Sequence, residues 1–466
     1  MNSLNAFVVV VLTLFMGRFA AASPEAFFSP ETDLVARIAQ ELNGAKKSID
    51  LAIYTFSSPL VMKELEEAQK RGVQVRLIVR KSIESGQPGF LAELQKAGAE
   101  IRWINKINHH KFLIVDGARL LSSSGNFSET ALQRSYDENL VVCGDCVKAT
   151  KAFREEFDFL FTNANPLIPG ETSPEELTLA RRPAEAKTPA AYFTSRNFQP
   201  AVDRRRQTKR LESIDESQPG NVETRLIQAI GGAKSRVQIA TGHFRSWNLM
   251  NALTEAVKRG VKVELVLDSQ EYVSTFKRAA EAQELAECVA GGKAEAECRK
   301  RGYYFSRHAY EGGVDVRIKS YALRWDFMKA PQMHHKYMII DGKTLYTGSY
   351  NWSYNAEFES VENVWVLREA SVVRDFLRNF EMVREYGAAE IPRLLREFRD
   401  AKDELPFHYT PVSLSYPEMD ELRGIACAKC PDVFCSNAID DERRSPPKKG
   451  EERPAPPVSC RVQKAG

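Results

Sequence analysis

Two nine-residue stretches decide the fold of this chain: HHKFLIVDG at residues 109–117 and HHKYMIIDG at residues 334–342. Each contains a His-x-Lys pair, an apolar run typical of a buried strand, and a closing Asp-Gly. The stretches lie 225 residues apart, and Asn126 and Asn351 keep the same separation. Two matching copies of so long a pattern do not arise by chance, so the sequence predicts a duplicated unit.

The sequence before each stretch is repeated as well. Residues 32–80 read as helix, strand, helix and strand, and residues 221–268 follow the same order. In the first copy the strands are predicted over residues 48–54 and 73–79. Strands that alternate with helices of this length predict an α/β sheet with right-handed crossovers.

Length and composition describe an ordinary globular protein. A chain of 466 residues is long enough for about three domains. Hydrophobic residues make up 43% and charged residues 27%, which excludes a mostly disordered chain, a collagen-like fibre and a polytopic membrane protein. The formal net charge is only +3, so any preference for nucleic acid or a membrane must be local.

The N-terminal residues have the pattern of an export signal. Ala6–Met16 is almost entirely apolar and too short to span a bilayer comfortably. Ala20–Ala22 then offers a small-residue cleavage site before Ser23. We therefore expect residues 1–22 to be a signal peptide and the protein to be periplasmic or secreted. A membrane anchor or a buried strand is the alternative, because Arg18 follows the apolar run and no basic residue precedes it.

The eight cysteines agree with export, since an even number in an exported chain favours disulfides. Local spacing predicts that Cys143 pairs with Cys146 and Cys288 with Cys298, and that the last four pair within the tail. A redox Cys-Gly-Asp-Cys motif and a zinc site in the tail are the alternatives. The four tail cysteines are Cys427, Cys430, Cys435 and Cys460.

Composition divides the chain into successive parts. We predict a first domain over residues 23–163, a linker and insertion over 164–220, a second domain over 221–390, and a Cys-containing tail over 391–466 with a disordered end. The middle part is rich in Pro and in charges of both signs. Its basic run, Arg204–Arg210, favours a solvated loop over a polyanion site.

The duplicated stretches resemble the signature of the phospholipase D superfamily: H-x-K, four residues, D, six residues, G-S-x-N. The second copy fits throughout, and the first departs at Ser123, where the family has glycine. The resemblance implies a duplicated phospholipase D-like α/β fold, with mixed sheets flanked by helices and an active site at the pseudo-twofold interface. The matching residues are His109, Lys111, Asp116, Ser124 and Asn126 in the first copy, and His334, Lys336, Asp341, Gly348, Ser349 and Asn351 in the second.

Strand geometry also predicts a site built from both copies. Residues two apart on a strand point to one face, so His109 projects with Lys111, and His334 with Lys336. Two imidazoles and two ammonium groups brought together at an interface suit a phosphodiester. The Lys, Asn and Ser side chains would donate hydrogen bonds to phosphate oxygens and stabilise the charge of a five-coordinate transition state.

The resemblance implies different roles for the two motif histidines. His109 would attack phosphorus and form a phosphohistidine, while His334 would protonate the leaving alcohol and then activate water. The residues by themselves leave this order open. Glu138 and Glu362 resemble the family's carboxylates that hold the histidine tautomers.

The motif aspartates and lysines are expected to have structural and electrostatic roles. We interpret Asp116 and Asp341 as structural residues that bond loop backbone. Because two lysines supply the positive charge, no metal and no cofactor are expected. The alternative is an inactive protein that only binds anions, and the serine at position 123, where the family has glycine, favours it.

Substrate choice depends on a weaker signal. Tyr321–Ala330, immediately before the second motif, mixes aromatic, apolar and basic residues, which suits a membrane interface or unpaired bases. We favour hydrolysis of phospholipids at a membrane surface. A metal-independent endonuclease acting on nucleic acid is the first alternative and a phosphatidyl-transferring synthase the second. No obligate protein partner is evident.

Overall fold

A computed structural model describes residues 23–55, 57–80, 88–128, 132, 136–167, 177–299, 304–320, 332–401 and 411–429. The predicted signal peptide, the loop Tyr321–Ala330 and the cysteines at 430, 435 and 460 lie outside these residues. Among the described residues, no helix combines the length and the apolar composition needed to cross a membrane.

The first unit is an eight-stranded mixed sheet with helices packed on it. Its sheet order is β1-β9-β7-β6-β2-β3-β4-β10. The strands are β1 (Glu25–Phe28), β2 (Ser48–Ile53), β3 (Gln74–Arg80), β4 (Glu100–Ile104), β5 (Ile107–Asn108), β6 (Lys111–Val115), β7 (Arg119–Ser123), β8 (Tyr136–Asp137), β9 (Asn139–Cys143) and β10 (Asn165–Pro166). The helices are α1 (Leu34–Asn43), α2 (Pro59–Lys70), α3 (Pro88–Lys96) and α4 (Val147–Thr162).

The second unit repeats this sheet. Its order is β11-β21-β19-β18-β14-β15-β16-β22, which is the same arrangement. The strands are β11 (Ala191–Phe193), β12 (Phe198–Asp203), β13 (Thr208–Ser213), β14 (Arg236–Thr241), β15 (Lys262–Asp268), β16 (Asp315–Ser320), β17 (Gln332–Met333), β18 (Lys336–Ile340), β19 (Thr344–Gly348), β20 (Ser360–Val361), β21 (Asn363–Leu367) and β22 (Val412–Ser415). The helices are α5 (Asn221–Gly232), α6 (Trp247–Lys258), α7 (Thr275–Ala290), α8 (Glu295–Cys298), α9 (Ser306–Glu311), α10 (Tyr354–Phe358), α11 (Ala370–Arg384), α12 (Ile391–Asp400) and α13 (Tyr416–Lys429).

The predicted α/β class and the duplication are confirmed. In each unit the central strand pairs parallel with the next strand along the chain, β2 with β3 and β14 with β15. The motif strands pair antiparallel with those central strands, β6 with β2 and β18 with β14. All five residues of β6 and of β18 are buried, as expected for strands covered on both faces.

Two short ladders connect the units. β5 pairs parallel with β20, and β8 pairs parallel with β17. A shared core that includes Phe112, Phe153, Tyr337, Trp365 and Phe376 lies between the sheets. Burial of these large rings stabilises the interface through the apolar area removed from water.

The range expected as a linker contributes strands to both sheets, and the range expected as a tail contributes one strand to the second sheet. Within 164–220, β10 extends the first sheet, β11 forms an edge of the second, and β12 and β13 form a hairpin. The basic residues Arg204–Arg206 lie in the exposed turn of that hairpin. Beyond residue 390, β22 pairs with β16 and forms the other edge of the second sheet.

Two of the predicted disulfides are present. Cys143 is bonded to Cys146 and Cys288 to Cys298. The first bridge closes the turn between β9 and α4. Cys427 is also disulfide-bonded.

Candidate active site

Both His-x-Lys motifs lie where the short inter-unit ladders end. His109 stands between β5 and β6, and His334 between β17 and β18. The backbone N–H of His109 donates to Val361 O at 3.1 Å, and that of His334 donates to Asp137 O at 3.0 Å. Each histidine is therefore held at its backbone by the opposite unit.

Each histidine ring also lies against a carboxylate of the opposite unit, and the contact of His334 with Glu138 has hydrogen-bond geometry. Nδ1 of His109 lies 2.8 Å from Oε1 of Glu362, and Nδ1 of His334 lies 2.6 Å from Oε1 of Glu138. Each histidine ring is only 12% exposed, and both carboxylates are buried. A carboxylate on Nδ1 fixes the tautomer whose Nε2 is free to react. Each unit thus provides one histidine, and also the carboxylate that lies against the histidine of the other unit.

Serine hydroxyls hold the strand segments that carry the glutamates. Ser124 Oγ donates to Oε2 of Glu138 at 2.6 Å and accepts from the backbone N–H of Asn139 at 2.9 Å. In the second unit, Ser349 Oγ accepts from the backbone N–H of Asn363 at 3.0 Å. Both serines are buried, so they act on the carboxylate segments within the core.

The two motif lysines lie beside the histidines and are almost completely buried. Nζ of Lys111 donates to His109 O at 2.9 Å, and Nζ of Lys336 donates to His334 O at 2.8 Å. Burial lowers the pKa of Lys111 to about 7 and that of Lys336 to about 8, and the proximity of Lys336 adds to the effect on Lys111. Two buried ammonium groups beside the same pair of histidines favour an anionic ligand.

Burial also shifts the other titrating groups of the site. It lowers the pKa of His109 and of His334 well below the usual range, and Lys336 adds to the effect on both. It raises the pKa of Glu138 to about 7 and that of Glu362 to about 8. The histidines are therefore neutral in the free site, which is the form that can act as a nucleophile. A bound phosphate anion would oppose the lysine charge and favour protonation of one imidazole.

The two motif asparagines follow the motif serines. Asn126 and Asn351 each stand two residues after a serine, and each is partly buried. Within the described part of the chain, Oδ1 of both side chains is buried and has no hydrogen-bond partner. Among the described residues, the side-chain oxygens of both asparagines are thus not used by the hydrogen bonding of the fold.

The motif aspartates bind loop backbone. Asp116 accepts hydrogen bonds from the backbone N–H groups of residues 46–48, and Asp341 from those of residues 234–236. Both have φ 52°, a conformation that Asp tolerates better than most residues. They fix the turn after the motif strand against the start of the central strand.

The departure at Ser123 is accommodated locally. Ser123 Oγ donates to Asn139 O at 3.0 Å and accepts from the backbone N–H of Gly125 at 3.0 Å. In the second copy a Cβ at Gly348 would lie 2.4 Å from Asn363 O, so glycine is required there. The first copy uses a different local backbone at the same place in the motif.

The second histidine of each motif points away from the site, as strand alternation predicts. His110 is buried, with Nδ1 3.0 Å from Nδ2 of Asn363 and Nε2 3.3 Å from Oε1 of Glu156. His335 is buried against the rings of Phe28 and Tyr337. These residues belong to the shared core.

Sequence reasoning missed residues that lie next to the reactive histidines. The ring of Tyr54 lies 4.8 Å from that of His109, centroid to centroid. The ring of His243 lies 6.4 Å from that of His334. Both follow the central strand of their unit, and this placement is the signal that could have indicated them.

The sequence matches the family model described as "Cardiolipin synthase, PLD-like domain" over residues 38–161 and 226–384, more than half of the chain. The chain belongs to the phospholipase D superfamily. The predicted resemblance is thereby confirmed, and each matched range lies within one unit of the fold.

Curated relatives of this superfamily member include hydrolases. A mitochondrial cardiolipin hydrolase of Xenopus laevis is 34% identical over 140 residues, which cover 29% of this chain and 66% of that protein. A phospholipase D of Rickettsia bellii (strain RML369-C) is 34% identical over 121 residues, covering 25% and 59%. The chain thus spans less than two thirds of the length of these relatives.

A solved structure agrees in fold. The phosphatidylserine synthase of Haemophilus influenzae Rd KW20 is 14% identical, with a TM-score of 0.50, and the match covers 78% of this chain and 87% of that one. Among the described residues of this superfamily member, no group of three or more His, Cys, Asp or Glu side chains is placed to hold a metal ion.

Proposed function

We propose that this chain hydrolyses phospholipid phosphodiester bonds in two steps through a phosphohistidine on His109. The observation that carries the proposal is the crossed pairing of two histidines with two buried carboxylates beside two buried lysines. Relatives named as a cardiolipin hydrolase and a phospholipase D support a phospholipid as the substrate.

In the first step, Nε2 of His109 attacks phosphorus and the P–O bond to the head-group alcohol breaks. His334, protonated once the anionic phosphate is bound, gives its Nε2 proton to the departing oxygen. Lys111 and Lys336 stabilise the charge that develops on the non-bridging oxygens. The products of this step are the free alcohol and phosphatidyl-His109.

In the second step, the now neutral His334 takes a proton from water while the water oxygen attacks phosphorus. The bond between phosphorus and His109 breaks, and phosphatidate leaves. Glu362 and Glu138 keep Nδ1 of their histidines as donors in both steps, so that Nε2 is the reacting atom each time.

A parallel assay tests the proposal. Purified protein is given vesicles of cardiolipin and phosphatidylcholine, and separately single- and double-stranded DNA, both with excess EDTA. We expect phosphatidate from the vesicles. Rapid DNA cleavage without phosphatidate would establish the endonuclease alternative, and transfer of the phosphatidyl group to an added alcohol without hydrolysis would establish the synthase.

Single variants test the division of roles. His109→Ala and His334→Ala should each abolish turnover, because each unit supplies half of the site. With an ester of a good leaving group, His334→Ala should still accumulate phosphoenzyme, since protonation of that group is dispensable. If phosphoenzyme forms in His109→Ala and not in His334→Ala, the roles are reversed.

We further propose that the protein is exported after cleavage before Ser23. The apolar run Ala6–Met16 and the small residues Ala20–Ala22 support this. N-terminal sequencing of protein recovered from outside the cytoplasm should begin at Ser23, and an intact N-terminus would contradict the proposal.

A further inference from the structure

The two halves of the site differ in what packs on the reactive histidine. β2 and β14 correspond at a separation of 188 residues, so Tyr54 corresponds to Gly242 and Thr55 to His243. In the first unit, Tyr54 covers His109 and also lies under Arg80, whose guanidinium is 4.9 Å from the ring centroid. The second unit has no such ring at the corresponding position, which is a glycine.

Glycine at this position keeps the surface of His334 open. A Cβ at Gly242 would lie 3.0 Å from Met333 O and 3.4 Å from Cδ2 of His334, tighter than an ordinary contact at the first of these atoms. The next side chain, His243, lies beside His334 instead, with the two ring planes 86° apart. It is 24% exposed, so a second, partly exposed imidazole borders His334.

His243 is held by a buried ion pair. Its Nδ1 lies 3.1 Å from Oε1 of Glu271, which is fully buried and also accepts from Nη2 of Arg245 at 2.8 Å. The backbone N–H of Phe244 donates to Oε2 of the same carboxylate at 3.2 Å. Despite its burial, Arg245 and His243 hold the pKa of Glu271 far below its usual range, so it is charged.

This arrangement determines what His243 can offer to a ligand. A charged carboxylate at Nδ1 selects the tautomer with the proton on Nδ1. Burial, together with Arg245 and Lys336, lowers the pKa of His243, which favours the neutral ring. Nε2 is then a hydrogen-bond acceptor. Arg245 and Lys336 cannot supply that property, because charged guanidinium and ammonium groups only donate.

We infer that His243 is a specificity-determining residue, which accepts a hydrogen bond from a hydroxyl of the leaving alcohol while His334 protonates the oxygen that leaves phosphorus. The inference rests on the proposed function. Oxygens on adjacent carbons of a polyol lie about one hydrogen-bond length apart, and the rings of His243 and His334 are neighbours at 6.4 Å. The favoured substrates are therefore phospholipids whose head group carries a hydroxyl next to the ester carbon, as glycerol does.

The experiment compares two lipids that differ by hydroxyl groups on the alcohol. Phosphatidylglycerol releases glycerol and phosphatidylpropanol releases 1-propanol, and each is presented in the same mixed micelles. We expect the wild type to prefer phosphatidylglycerol by about tenfold in kcat/KM, the worth of one well-placed hydrogen bond to a substrate hydroxyl. His243→Asn should abolish this preference, because the shorter side chain retains a donor for Glu271 and lacks the acceptor at Nε2.

Two further variants separate specificity from structure. Thr55→Ala changes the corresponding position of the first unit and should leave the ratio of the two kcat/KM values unchanged. His243→Gln restores an acceptor at the length of Nε2 and should recover part of the preference. A structural role alone for His243 would lower activity on both lipids equally in the Asn variant.

The outcomes are distinct. A wild type that hydrolyses both lipids equally, or a His243→Asn variant that keeps the wild-type ratio or loses both activities alike, overturns the role of His243 and leaves the proposed function intact. A wild type that releases neither alcohol overturns this inference, and the proposed function falls with it only if the cardiolipin and phosphatidylcholine vesicles also give no phosphatidate.

Discussion

Replacing Glu362 by glutamine changes the group that faces Nδ1 of one histidine of the site without removing volume. The carboxylate lies 2.8 Å from Nδ1 of His109 and belongs to the opposite unit. A glutamine there can turn its amide NH₂ toward Nδ1, which selects the tautomer with the proton on Nε2. That imidazole cannot attack phosphorus, because its reactive lone pair is occupied.

The size of the effect follows from the tautomer change. The corresponding Asp→Asn change in the serine-protease triad, an example of the same logic, lowers kcat by about 10⁴. We expect Glu362→Gln to lower kcat by roughly 10²–10⁴, or about 3–5 kcal/mol of transition-state stabilisation. Because burial raises the pKa of Glu362, a neutral amide should cost the fold less than about 1 kcal/mol.

The assay is single-turnover release of alcohol, combined with trapping of phosphoenzyme and urea unfolding. Glu357→Gln is the matched control, since Glu357 is also buried with a pKa raised to about 7 and bonds Asn197 and the backbone of Val222. The control should keep kcat within about threefold. A Glu362→Gln variant that folds and also keeps kcat within that range would refute the role of the crossed contact.

Three further predictions concern stability, pH and metals. Asp341→Ala should lower the free energy of unfolding, measured in urea, by about 1–3 kcal/mol. The substitution leaves the backbone donors of residues 234–236 without their acceptor and places Ala at φ 52°. An unchanged unfolding midpoint would contradict this prediction. The raised pKa of Glu138 means that the folded state binds more protons than the unfolded state between pH 4.5, its ordinary pKa, and about pH 7. The free energy of unfolding should therefore fall as the pH rises through this window. The slope should be shallower in Glu138→Gln, and equal slopes would contradict the prediction. Turnover should persist in excess EDTA because Lys111 and Lys336 supply the positive charge, and a loss reversed by a divalent ion would show that a metal is required.

The sequence allowed the fold to be predicted because the signal was duplicated. The buried strands β6 and β18 are recognisable in the sequence as apolar runs between polar residues that both copies share. The helices before them show ordinary amphipathic spacing. The order of the strands in the sheets is set by crossovers between distant segments, and local periodicity carries no information about them. The resemblance implied mixed sheets flanked by helices, and the order of the strands comes from the structure alone.

The candidate site shows a similar limit. Strand alternation placed His109 with Lys111 on one face, and the structure has them together. The partner of each histidine depends on ladders of two residues each, β5 with β20 and β8 with β17. Strand pairs this short leave no periodic pattern in the sequence. The sequence therefore indicated Glu138 and Glu362 as candidates without indicating that each lies against the histidine of the opposite unit.

Composition misled where strands are short. Residues 164–220 are rich in Pro and charge, which indicated a linker, yet β11 is three residues long and still completes an edge of the second sheet. β22 completes the other edge from beyond the predicted domain boundary. Edge strands of this length are stabilised by backbone pairing with a long neighbour and need little hydrophobic pattern of their own.

In the proposed mechanism, the crossed contacts make catalysis depend on the association of the two units. His109 is held at its backbone by Val361 and at its ring by Glu362, while His334 is held by Asp137 and Glu138. A unit separated from its partner would therefore keep its histidine and lysine and lose control of the tautomer. The shared aromatic core and the two ladders act on the reaction through this control, although they touch no substrate. Duplication within one chain secures it, because the effective concentration of one unit near the other does not depend on the concentration of the protein.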